Sequence, residues 1–144
     1  MKLPQYITTE EVQRVCRELG IRDWTSLAEA AVSVEEAQVI QTAVGAEATQ
    51  ITADEFRRGL EVELEHGLQF PDANVTNNHP LLTGKIVLAH LKETLDYYSR
   101  LEVAELEGGI LKALAKGDPA KVSEKYRNLV HARAALSANE ASRL

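Results

Sequence analysis

The chain has 144 residues, a formal net charge of −6 and a single cysteine, Cys16. That length can bury a core without disulfides or a metal staple and points to one domain over 1–144. The acidic balance argues against a general nucleic-acid binder, which needs clustered Lys and Arg. No uncharged apolar run nears the ~20 residues of a membrane span.

Few residues are aromatic, whereas Ala, Leu, Val and Glu are abundant, a balance that favours helices. Residues 1–7 read as a lead-in with no signal-peptide pattern, so the expected location is the cytoplasm. Thr8 and Glu11 have capping-box spacing, Val12, Val15, Cys16 and Leu19 come next at helical intervals, and Gly20 is a natural stop. Trp24 reads as a core anchor, and Ser26 with Glu29 predicts a short helix. Ser33 and Glu36 open a further helix that Gly45 closes. Thr52 and Glu55 cap the next, expected to run to about Gly67, with Phe56, Leu60 and Leu64 as its apolar stripe.

Residues 68–80 form a polar loop, "LQFPDANVTNNHP", suited to Asx turns. Thr83 is the expected cap of a long helix from Gly84 to at least Leu106, with Val87, Leu88, Leu91, Leu95 and Tyr98 as its apolar arc. Gly108 and Gly109 predict a break soon after Leu106. Gly117, Asp118 and Pro119 then end one helix and start the last, expected to reach about Ser137, with a frayed tail beyond. The whole reads as an all-α domain of five or six helices. Its centre is an antiparallel helical hairpin over 51–101, to which 1–50 add N-terminal helices and 118–144 a C-terminal helix and tail.

One charged residue breaks the pattern. On a helical wheel Glu63 projects only about 20° from Phe56, inside the apolar stripe. His66 lies at the stripe's edge, and His90 and Glu93 share a face of the next helix. Both pairs have i, i+3 spacing. Glu63, His66, His90 and Glu93 are therefore candidate ligands for Fe, Zn or Mn. The plainer alternative is a buried polar network of Glu63, His66, Lys85, His90 and Tyr97, because a charge in an apolar stripe must find partners. Acid–base catalysis by Glu63 and His90 would need a pocket, and no catalytic residue is assigned. Asp72, Asn74, Thr76 and Asn78 alternate like the start of a calcium loop but lack its Gly and Glu. His79 and His131 read as loop and surface residues.

The blocks "EVELEHG" (61–67), "NVTN" (74–77), "LTGKIVLAHLKE" (82–93) and "DYYSRLE" (96–102) resemble a family of small uncharacterised proteins of bacteria, archaea and phages, a domain of unknown function. Where members of that family often carry Pro before "DYY", this chain has Leu95, which predicts an uninterrupted helix. The resemblance brings no activity. It implies that Glu63, His66, Lys85, His90, Glu93, Asp96 and Tyr97 belong to one local unit. Its phage members imply a role in particle structure, placing the protein in the cytoplasm or in a particle assembled inside the cell. Two functions are then open. One is a non-enzymatic structural or interaction protein with protein partners or a homo-oligomeric state. The other is a metal-binding helical protein that could be redox-active.

Overall fold

A computed structural model describes residues 7–144; most of the expected lead-in, 1–6, lies outside them. The regular structure of the described residues is helical, with no strand: α1 (Thr9–Leu19), α2 (Val34–Val44), α3 (Ala53–Gln69), α4 (Pro80–Glu93), α5 (Tyr97–Ala115) and α6 (Pro119–Ala141). Short 3-10 turns stand at Trp24–Ser26 and Ala48–Gln50. Among the described residues the fold is all-α, with six α-helices.

The first three helices start where their caps dictate. The hydroxyls of Thr8, Ser33 and Thr52 accept from the backbone N–H of Glu11, Glu36 and Glu55. At Ser33 the reciprocal bond closes a full capping box. Each such cap is worth about 1 kcal/mol. Gly20 and Gly45 end α1 and α2 at φ 67° and 130°, where a Cβ would be strained.

The helix expected after Ser26 does not form. Asp23 takes the N–H and hydroxyl of Thr25, and the Ser26 hydroxyl donates back to the Asp23 carbonyl, so the segment closes on Asp23 as a 3-10 turn. The chain runs on without helix to Ser33. Arg22 holds it by donating to the Ala31 carbonyl, and Glu61 accepts from the Val32 N–H.

Contacts divide the chain into two compact units between Leu95 and Asp96. In the first, α2, α3 and α4 pack on one another, and their Ile40, Phe56, Leu60, Leu64 and Val87 are wholly buried, as is Trp24. Gly84 permits this closeness: a Cβ there would lie 2.8 Å from Val44 Cγ2 and 3.0 Å from Ile40 Cγ2. An ion pair between half-exposed Arg22 and buried Glu36 ties the connection to α2. Glu36 accepts from Arg22 Nε at 2.9 Å and Nη2 at 2.6 Å, and from the N–H of Arg22 and Ser33, each at 3.1 Å. Burial alone would raise the Glu36 carboxyl, but these donors outweigh it and hold it below its usual range.

The second unit is the hairpin of α5 and α6. Its contacts step up one helix as they step down the other, so the two run antiparallel: Gly109 with Lys125, Glu107 with Arg133, Arg100 with Glu140. The turn is as expected, with Gly117 at φ 66°, Asp118 as cap and Pro119 in the first turn.

Three expectations here are corrected. The helix does not run on from Gly84 past Leu95. Thr94 is extended, at φ −158° and ψ 137°, Leu95 is exposed, and α5 starts afresh at Tyr97. The Asp96 carboxylate is buried and gripped by Arg100 through Nε at 3.0 Å and Nη2 at 2.9 Å. That grip fixes the new helix start, which apolar periodicity could not reveal. Gly108 and Gly109 do not break α5: the bare backbone at Gly109 accepts the Lys125 chain, whose Cδ would be 2.9 Å from an added Cβ. Nor is the tail frayed from Ser137. Helix α6 reaches Ala141, where Glu140 pairs with Arg100 at 2.6 Å and Arg143 lies 3.7 Å from Asp96.

Candidate functional site

Helix α3 carries Glu63 and His66 on one face, and α4 brings His90 to the same carboxylate. Glu63 Oε1 is 3.6 Å from His90 Nε2, and Glu63 Oε2 is 3.9 Å from His66 Nδ1. The Glu63 side chain is 16 % exposed, His90 31 % and His66 46 %. The carboxylate thus sits at the wall of the first unit, with the imidazoles opening outward. Both separations are those of ion pairs and are longer than a short charge-assisted hydrogen bond of about 2.8 Å.

The other candidates differ in exposure and in the unit that carries them. Lys85 and Glu93 are exposed on α4. Tyr97 is the first residue of α5, in the second unit, where its ring meets Tyr98 edge-on at 5.2 Å between centroids. Among the described residues, no group of three or more His, Cys, Asp or Glu side chains is arranged to hold a metal ion. A carboxylate between two imidazoles can share a proton or contribute to a cation site that further ligands complete.

Beside this cluster lies an open cleft of about 190 Å³, lined by Glu63, His66, Phe70, Asn74, Thr83 and Ile86 among others. It is smaller than the roughly 300–1,000 Å³ of a typical small-molecule site. The polar loop forms one wall and is closed by its own amides. Asn74 Nδ2 donates to Asn78 Oδ1 at 2.8 Å and to the Gly67 carbonyl at 3.2 Å, and Thr76 donates to Asn74 Oδ1. Gly67 is required for this closure, since a Cβ there would collide with Asn78 Oδ1. Asn77 and Asn78 both take left-handed backbone, at φ 50° and 56°, which Asn tolerates better than most residues. The alternating oxygens that resemble a calcium loop are thus partly engaged with one another.

Two assignments in this region are corrected. His79 is a buried helix cap, not a loop-surface residue: its Nδ1 accepts from the Leu82 N–H, and Pro80 stands next in the first turn. Thr83 is therefore inside α4 and buried, with no capping role. Burial pulls the His79 pKa below its usual 6.5, against the opposing pull of the Glu11 charge. The signal was present in the sequence, because a polar residue before Pro at a helix start is a recurrent arrangement. His131 lies exposed on α6.

With this geometry in view, comparison with known families adds one finding. Residues 12–107 match the family described as "Protein of unknown function (DUF5661)". The chain belongs to this family. The DUF5661 match takes in the Glu63 cluster and the asparagine-closed loop. It starts in α1, well upstream of the blocks at 61–102, and ends inside α5, before α6. No curated protein and no solved structure matches the chain.

Proposed function

We propose that this DUF5661 protein is a non-enzymatic structural or interaction module, a component of a larger assembly such as a phage-like particle. The observation that carries the reading is the exposure of Leu111, Leu114, Tyr126 and Val130 on the α5–α6 hairpin. Large apolar side chains gathered on one small element mark contact surfaces more often than catalytic ones. The test is the size of the native species in an extract of producing cells, read by gel filtration and immunodetection. Elution well above monomer size is expected, and elution as a free monomer at all concentrations would remove the reading.

A second reading has its own observation, the convergence of His66 and His90 on Glu63. In it the cluster, with Glu93 one turn beyond His90, holds a divalent Fe, Zn or Mn ion. Metal analysis of purified protein separates the two. Stoichiometric metal that disappears in Glu63→Ala and His90→Ala supports this second reading; metal-free protein that takes up none on titration rules it out.

A further inference from the structure

We propose that the cleft beside Glu63 binds a small primary ammonium group carried on a short apolar body, with the Glu63 carboxylate as its counter-charge. The inference goes beyond the interaction-module reading and competes with the metal reading for the same carboxylate.

Size sets the first limit. The cleft holds about 190 Å³, the volume of about six waters at ~30 Å³ each. That admits a body of a few carbons and excludes anything as large as a nucleotide.

Charge sets the second. Glu63 lines the cleft, and among the described residues that do so none is Lys or Arg. Its side chain is 16 % exposed. A cation beside it is therefore attracted more strongly than at an open surface, and an anion is repelled.

The polar loop sets the third. Asn74 uses its side-chain N–H groups on Asn78 Oδ1 and the Gly67 carbonyl. Thr76 uses its hydroxyl proton on Asn74 Oδ1. Both residues line the cleft, and Thr76 Oγ1 and Asn74 Oδ1 keep acceptor lone pairs. This wall suits a ligand that donates, and an ammonium only donates.

The apolar lining places the body. Phe70, the C-cap of α3, lies about 10 Å beyond Glu63 on the same side of the helix. It is 50 % exposed, and Ile86 of α4 lines the same cleft. An ammonium at Glu63 thus directs a chain of a few carbons along Ile86 towards Phe70, covering ring surface that otherwise faces water. A free alkylamine and the lysine side chain of another protein share this chemistry.

The test follows the backbone amide signals of the full chain by NMR as n-butylammonium chloride is added at constant ionic strength. Saturable shifts at Gly67, Asn74 and Thr76 are expected, with a dissociation constant of about 1 mM or tighter, which is within reach of about five non-hydrogen atoms. n-Butanol and butyrate should each bind at least about 10-fold more weakly. Glu63→Gln should weaken butylammonium by about 10-fold or more, and Phe70→Ala, at a half-exposed position that the fold does not need, by about 3-fold. Glu65→Gln, the same charge change at an exposed position of α3, should leave binding unchanged. A capped Gly-Lys-Gly peptide that binds more tightly than butylammonium assigns the ammonium to a protein's lysine, and weaker binding assigns it to a free amine. No saturable shift, equal binding of n-butanol, or binding unchanged in either Glu63→Gln or Phe70→Ala would overturn the proposal. Shifts of the same amides with zinc chloride and none with butylammonium would overturn it in favour of the metal reading, and would leave the interaction-module reading to its own test.

Discussion

In the first unit Trp24, Ile40, Phe56, Leu60, Leu64 and Val87 are buried together. In the second, the buried apolar side chains are Tyr98, Ala113, Leu129 and Ala132, two of them only a methyl group. The second unit adds a clasp at its open end, where buried Asp96 is linked to half-exposed Arg100 and Arg143, and Arg100 to Glu140. Apolar volume is removed from water whatever the salt or pH, while exposed pairs contribute about 0–1 kcal/mol each and fade with screening. The two units should therefore answer differently to cavities, acid and salt.

The largest effect should come from emptying the first core. Phe56→Ala is expected to cost about 3–5 kcal/mol, read as a lowered denaturant midpoint. A loss below about 1 kcal/mol would mean that apolar packing does not dominate that unit. Next is Glu36→Ala, which strips the partner from Arg22 and leaves two backbone N–H groups without their acceptor; about 2–3 kcal/mol is expected. The Glu36 carboxyl is held below its ordinary 4.5 in the folded state. Its contribution is therefore full above about pH 4.5 and is lost as pH falls through the depressed folded value. The acid limb of the wild-type stability curve should be shallower in Glu36→Ala.

Asp96→Asn probes the second unit. Its cations are half exposed, so a smaller loss of about 1–2 kcal/mol is expected. Hydrogen exchange should quicken at the Arg100 amide and in the last turn of α6 while α2 and α3 keep their protection. Uniform quickening across both units would erase the contrast between them. The smallest effect belongs to His79. Its folded pKa lies below 6.5, so the unfolded chain takes up the proton first. The associated stability is complete above about pH 6.5 and declines as pH falls through the lowered folded value. His79→Asn keeps a capping side chain and should flatten that limb by under about 1 kcal/mol.

The parts that local chemistry controls could be read from the chain alone. Thr8, Ser33, Thr52 and Asp118 are helix caps because each offers an oxygen to a free N–H nearby. Gly20 and Gly117 are stops because their backbone is left-handed. Glu63 stood out as a carboxylate inside an apolar stripe, and the structure places both His66 and His90 within 4 Å of it. The features that escaped depend on distant partners. Asp96 restarts the chain as α5 with cations as remote as Arg143. Gly109 stays helical because Lys125 lies across it. Periodicity along one helix carries no information about any of these.

The clasp at Asp96 also has a consequence for biosynthesis. Arg100 leaves the ribosome a few residues after Asp96, but Arg143 emerges only after both helices have been made. At about 5–20 residues per second, that interval lasts seconds. During it the nascent first unit already has every large apolar group of its own core, while the hairpin still lacks its closing cation. Folding of this polypeptide should accordingly be vectorial, with the first unit compact before the clasp of the second is complete.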